Sequence, residues 1–233
     1  RRRNGSSLDP FEEIGSGSLG FQWFAAVDLD LDGLLDMVAS TGEMPSDVLW
    51  FRGRPGGNFD GASILAATLP SASTAGLELL DVDRDGHLDL VRGEAGTSGR
   101  IIWHAATPQG PALGVSLANS SFSIELLPPA DVNRDGWPDL ISLELSMPTG
   151  GEAGRVVWRI LRNDGTTGPT RIAGRGLTPG IGAVGDLDGD GDADLVVAGR
   201  NSGTVALFRG LRLGSMGEAS CQNSVLTSDG VPA

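Results

Sequence analysis

Apolar and polar residues alternate along the chain in short runs, each broken by Gly, Pro, Asp or Asn. Runs such as Leu77-Glu78-Leu79-Leu80, Leu88-Asp89-Leu90-Val91 and Ile101-Ile102-Trp103 are rich in branched and aromatic residues and bounded by turn formers. That is the signature of β-strands. Helix-friendly runs of Ala, Leu and Glu are scarce, and Gly (36) and Pro (13) are plentiful. The pattern predicts an all-β, turn-rich protein.

The alternation is itself periodic. One segment recurs four times: Asp28-Leu29-Asp30-Leu31-Asp32-Gly33-Leu34-Leu35-Asp36, Asp81-Val82-Asp83-Arg84-Asp85-Gly86-His87-Leu88-Asp89, Asp131-Val132-Asn133-Arg134-Asp135-Gly136-Trp137-Pro138-Asp139, and Asp186-Leu187-Asp188-Gly189-Asp190-Gly191-Asp192-Ala193-Asp194. First aspartates lie 53, 50 and 55 residues apart. An aromatic keeps the same phase, 22 residues after the first Asp, at Trp50, Trp103 and Phe208. In the third unit Trp158 comes 27 residues after, with Met147 to Glu152 reading as an inserted turn.

Each unit divides into four strands: one before the loop, one leaving it, one carrying the aromatic, and one after a Gly/Pro turn. Ile64 to Ala67, Val115 to Leu117 and Arg171 to Ala173 are the fourth strands. Four short antiparallel strands per period of about 50 residues is the arithmetic of β-propeller blades. Phe11 to Ile14 stands where a fourth strand would, and the chain runs out of pattern after Phe208. The count therefore predicts a closed four-bladed ring, the N-terminal strand completing the last blade and removing exposed sheet edges. An open arc, or part of a seven-bladed propeller, is the alternative. The expected organisation is an extension over residues 1–10, a propeller over 11–210 and a Gly/Ser-rich tail over 211–233.

The loops change the reading of the charge. The formal net charge is −13, and no basic patch of a nucleic-acid binder stands out. Calcium takes six to eight hard oxygens. Carboxylates at positions 1, 3 and 5, glycine at 6, a carbonyl at 7 and a carboxylate at 9 can supply them. The candidate ligand sets are Asp28, Asp30, Asp32, the Leu34 carbonyl and Asp36; Asp81, Asp83, Asp85, the His87 carbonyl and Asp89; Asp131, Asn133, Asp135, the Trp137 carbonyl and Asp139; and Asp186, Asp188, Asp190, the Asp192 carbonyl and Asp194. Up to four Ca²⁺ ions are expected, held most tightly in the fourth loop and least in the third, where Asn133 loses a charge.

These are not EF-hands, because position 12 is Ala39, Arg92, Ser142 or Val197 where that loop needs Glu. Magnesium prefers fewer protein ligands, and zinc lacks a Cys/His cluster. An Asp-Gly turn without a metal is the plain alternative for any single copy.

At this point the chain resembles a known family. Its loops followed by Leu-Asp-Leu-Val, most fully Val184 to Val197, are similar to the FG-GAP/VCBS repeats of integrin α-subunit-type β-propellers, over about residues 11–210. The resemblance implies structural calcium in the hairpin between strands one and two, and a role in adhesion, ligand binding or assembly. Two departures are plain: such propellers usually have seven blades, and the Phe-Gly and Gly-Ala-Pro stretches that name the repeat are missing.

The function this predicts is a non-catalytic, calcium-binding interaction module, a subunit of a larger assembly with protein partners. A calcium-dependent lectin is the alternative, with Trp23, Trp50, Trp103, Trp137 and Trp158 as candidate sugar platforms. An enzyme is the least expected. Only His87 and His104 are present, and no Ser-His-Asp or Cys-His arrangement can be built. Cys221 has no cysteine to pair with. No apolar run reaches the length of a membrane span. The Arg1-Arg2-Arg3 opening looks like a processed start. Millimolar calcium points to an extracellular, cell-surface or lumenal location.

Overall fold

The computed structural model describes residues 20–42, 44–67, 72–145, 154–162, 164–177, 179–199, 205–210 and 222–226. All regular structure among them is β. The first sheet holds β1 (Phe21–Val27), β2 (Asp36–Thr41) and β3 (Asp47–Phe51). A small hairpin, β4 (Gly53–Arg54) with β5 (Asn58–Phe59), leads to its fourth strand, β6 (Ser63–Ala67). The second sheet is β7 (Ser73–Leu80), β8 (Asp89–Ala95), β9 (Gly99–His104) and β10 (Val115–Ser120). The third is β11 (Ser123–Ala130), β12 (Asp139–Leu145), β13 (Gly154–Arg159) and β14 (Arg171–Leu177). The fourth is β15 (Pro179–Gly185), β16 (Asp194–Gly199), β17 (Val205–Arg209) and β18 (Gln222–Leu226). Every pairing within these sheets is antiparallel, in chain order.

The sheets stack as blades. The first strands line up side by side, β1 against β7, β7 against β11 and β11 against β15. Three apolar cores fill the spaces between neighbours. Val27, Leu29, Val38 and Val48 of the first sheet meet Leu77 and Leu90 of the second. Val82, Val91 and Ile101 meet Ile124, Leu126 and Leu140. Val132, Ile141, Val156 and Trp158 meet Leu195, Val197 and Phe208. The fit is tight enough that a Cβ on Gly93 would lie 2.4 Å from the Ala75 carbonyl oxygen and 3.1 Å from Leu126 Cβ. Glycine is the residue that permits this approach.

Two expectations change. The fourth strand of the last sheet is β18, which pairs with β17 from Val205↔Leu226 to Arg209↔Gln222. It comes from the stretch read as a tail, past residue 210. The Phe11 to Ile14 strand lies outside the described residues. A partner close in sequence closes a much shorter loop than one at the far end of the chain, so its ordering costs less entropy. The predicted four-bladed closure therefore gives way to its alternative, an open arc or part of a larger propeller: among the described residues, the first and last sheets do not pack on each other as neighbours do.

The middle sheets bury both faces, and two of their central strands carry charge into the core. Arg92, Glu94 and His104 lie buried between the first and second sheets. Arg92 Nη1 donates to Glu94 Oε1 at 2.6 Å, and Arg100 Nε donates to Glu94 Oε2 at 2.7 Å. Glu144 occupies the equivalent place one sheet on, accepting from Arg159 Nη2 at 2.5 Å, Arg155 Nε at 2.7 Å and Ser120 Oγ at 3.0 Å. Buried charges persist only when paired in this way.

Among the described residues Glu78 on β7 has no such partner in its favour, and burial pushes its carboxyl up to about 7. The unfolded group loses its proton near 4.5. Between those values the unfolded chain binds fewer protons than the folded one, so stability falls as pH rises through the window. Glu78→Gln is expected to match the native chain in acid and to exceed it by about 1–3 kcal/mol above the window. Urea melts across pH check this; a Glu78→Gln curve parallel to the native one refutes it.

Candidate functional site

The four loops share one internal geometry. In the first three, the position-1 carboxylate accepts from the N–H groups of positions 5 and 6. Asp28 takes Asp32 N at 3.1 Å and Gly33 N at 2.8 Å. Asp81 takes Asp85 N at 3.1 Å and Gly86 N at 3.0 Å. Asp131 takes Asp135 N at 3.2 Å and Gly136 N at 2.9 Å. In the fourth, Asp186 takes Gly189 N at 2.7 Å and Gly191 N at 3.0 Å. The position-5 carboxylate then accepts the position-7 N–H at 2.8–2.9 Å in each loop: Asp32 from Leu34, Asp85 from His87, Asp135 from Trp137 and Asp190 from Asp192. Short acidic side chains favour such turns because they capture nearby backbone donors.

Two positive-φ residues complete the winding. Position 6 is glycine throughout, at φ 82° to 91°. Position 4 is Leu31, Arg84, Arg134 or Gly189, at φ 57°, 62°, 60° and 78°. The left-handed region is costly for a side chain, and these side chains are used. Leu31 packs on the core between the first two sheets. Arg84 reaches the third loop, 3.6 Å from Asp135 Oδ2 and 4.7 Å from the Trp137 ring centre. Arg134 pairs with Asp192 of the fourth loop.

The position-9 aspartates have a second role. Asp36, Asp89, Asp139 and Asp194 are all buried. Oδ2 accepts the N–H of position 2 at 2.9–3.1 Å in every loop. Oδ1 accepts the N–H just beyond the third strand, from Gly53 at 2.7 Å, Ala106 at 2.8 Å, Leu161 at 3.0 Å and Gly210 at 2.7 Å. Each ties its loop to the far end of its own sheet. Burial pushes the carboxyls of Asp89 and Asp139 up to about 6, against the hydrogen bonds that lower them.

Three loops gather carboxylates. Asp28, Asp30 and Asp32; Asp81, Asp83 and Asp85; and Asp186, Asp188 and Asp194 each bring one oxygen apiece within 4.8 Å of one another. The third loop yields no such triad among the described residues. There Asn133 Nδ2 donates to Asp135 Oδ2 at 3.1 Å. Arginines, which the motif alone does not disclose, divide the triads. Arg52, just past β3, pairs with the buried Asp30 and with Asp32 at 3.2 Å. Arg209, at the end of β17, donates to Asp188 at 2.7 Å. Among the described residues no arginine pairs with Asp81, Asp83 or Asp85. The sequence signal is not specific: arginines stand at or just past the end of the third strand at Arg52 and Arg209, but also at Arg159, which pairs with Glu144.

Of the other candidates, Trp23 stands exposed on β1, and the rest are engaged elsewhere. Trp158 is buried in the core and Trp103 Nε1 donates to Asp89 at 2.8 Å. The rings of Trp50 and Trp103 lie against Gly110 and Gly165 of the following sheets. His104 donates from Nδ1 to the Ala112 carbonyl at 3.1 Å and accepts from Arg92 Nε at 3.2 Å. Burial holds it down to about 4, so it stays neutral. No helix among the described residues is long and apolar enough to cross a membrane.

A solved structure described as BBS1N in complex with ARL6DN, soaked with lead, is similar at a TM-score of 0.53 and 15% identity, over 97% of this chain and 71% of that one. That is a likeness of fold, and it supports the β-propeller reading. No curated protein sequence matches. The model of FG-GAP-like repeats matches residues 28–91 and 131–197, each span running from an Asp-rich loop to the strand that leaves the next. By its repeats, its loop winding and that match over more than half its length, the chain belongs to the FG-GAP-like repeat family.

Proposed function

We propose that the chain is a non-catalytic interaction scaffold whose Asp-rich loops are stabilised by calcium. The observation that carries the calcium reading is the second loop. Asp81, Asp83 and Asp85 converge with no arginine among the described residues to offset them. Close carboxylates repel, and an oxygen-seeking divalent cation removes that repulsion. Asp28, Asp30 and Asp32, and Asp186, Asp188 and Asp194, would hold further ions in competition with Arg52 and Arg209. This ordering moves the tightest site from the fourth loop to the second.

The scaffold reading rests on how the polar groups are spent. The loop carboxylates wind the turns, and both ring nitrogens of His104 are hydrogen-bonded in the core. The similar fold of BBS1N, solved with ARL6DN, supports a protein as partner. The buried Trp158 and the half-buried Trp50 and Trp103, packed against the next sheet, give the carbohydrate reading less support, leaving it Trp23 and Trp137. Calcium sites of this kind suit compartments with millimolar calcium, outside the cell, on its surface or in a lumen.

Thermal melts in calcium and in chelator test the metal. Free calcium at a hundredfold excess over Kd is expected to add about 2.7 kcal/mol per site. Asp83→Asn is expected to fold normally in chelator and to lose a large share of the gain. A melt indifferent to calcium, with no heat on titration, overturns the calcium reading.

A further inference from the structure

The repeats show what each blade position does when a neighbour covers it. Position 2 of the loop is an apolar knob inserted toward the next sheet. Leu29, Val82 and Val132 are 0–2 % exposed there. The third-strand residue paired with position 13 does the same: Val48, Ile101 and Val156, opposite Ser40, Gly93 and Leu143, are 0–1 % exposed. Their counterparts in the last sheet are Leu187, 57 % exposed, and Val205, opposite Ala198, 38 % exposed.

The opposite end of the arc is open in the complementary way. The first-strand residue paired with position 12 faces the preceding sheet. Leu77 and Leu126 are buried in that role, and Gly182 abuts Leu127. Its counterpart in the first sheet is Phe24, opposite Ala39, which is 79 % exposed. Beside it lies the half-buried Met37, where the other sheets place the buried Leu90, Leu140 and Leu195.

We propose that two copies of this chain associate head to tail, the outer face of the last sheet of each seating on the open face of the first sheet of the other. The chain carries both halves of an interface that it builds three times within itself, so a second copy matches the exposed surface in shape and chemistry. Exposed apolar faces of this kind mark association surfaces. A heterologous contact that closes on itself forms a ring. Two arcs of four sheets make eight, inside the range of propeller sizes. The inference goes beyond the scaffold reading.

Sedimentation of the chain in calcium and in chelator tests it by dilution series. The native chain is expected at twice its 24.0 kDa. Leu187→Asp and Phe24→Asp alter residues exposed in the single copy, so both are expected to keep the native circular dichroism, with a melt lowered only by the loss of association. Each alone is expected to sediment at the single-chain mass. An equimolar mixture is expected to recover association, because one intact knob then meets one intact face. A native chain that stays single at every concentration overturns the proposal, as does a pair that either variant leaves intact.

Discussion

Asp89→Ala is expected to destabilise the protein by about 3–5 kcal/mol, and by the same amount in calcium and in chelator. Asp89 is buried and accepts three hydrogen bonds: Val82 N at 3.0 Å, Trp103 Nε1 at 2.8 Å and Ala106 N at 2.8 Å. Alanine strands all three donors. An unsatisfied buried donor costs its full desolvation, which is more than the net worth of the bond it made. Those donors lie before the loop's turn, on the third strand and just beyond it, so the loss loosens both ends of the second sheet. Asp89→Asn keeps one acceptor oxygen but turns an amide toward N–H donors, and is expected to recover only part of the loss. Denaturant melts in both buffers are the measurement. A destabilisation that appears only when calcium is present would make Asp89 chiefly a ligand and refute the strap.

Glu144→Ala is expected to cost a similar 3–5 kcal/mol by a different route. The buried carboxylate balances Arg159 and Arg155, and Arg159 is itself buried with one further bond, to Ser142 Oγ at 3.2 Å. Removing Glu144 leaves a guanidinium in the core without a counter-charge. The penalty belongs to the broken set and not to the absence of charge as such. Replacing Glu144, Arg155 and Arg159 together by hydrophobic residues of similar size is therefore expected to restore most of the stability. The pH dependence carries a sign. Burial alone would raise the Glu144 pKa, but the two arginines reverse that and hold it below its ordinary value of 4.5. Its contribution is thus full above that value and is lost as pH falls through the depressed pKa. A single variant no less stable than the native chain, or a triple variant worse than the single one, would overturn this account.

Both predictions concern residues whose role the sequence only half disclosed. The strand content, the fourfold period and the loop register were legible because period-2 alternation and Asp-Gly turn chemistry are local. Leu29 follows Asp28 as Val82 follows Asp81, and the backbone bonds that wind each loop join residues within five positions of one another. Local rules of that kind are written in consecutive residues. The position-9 aspartates belonged to the motif too, but their second hydrogen bonds reach 16 to 22 residues on, across a whole sheet. Only the folded sheet brings Gly53, Ala106, Leu161 and Gly210 to them.

The tertiary structure decided the rest, for the same reason. Arg92 and Glu94 are charged, yet both are buried along with Leu90, Val91 and Gly93, because a neighbouring sheet covers each side of β8. The stretch after residue 210 reads as Gly/Ser-rich, yet Gln222–Leu226 completes the last sheet where β17 offers an unpaired edge. The arginines that divide the triads act from another strand or another loop. The sequence by itself determined the repeat, its strands and its acidic turns. Which carboxylates are left without a cation, and which apolar faces are left without a neighbour, depends on how the sheets stack, since both are properties of contacts between units and not of the unit.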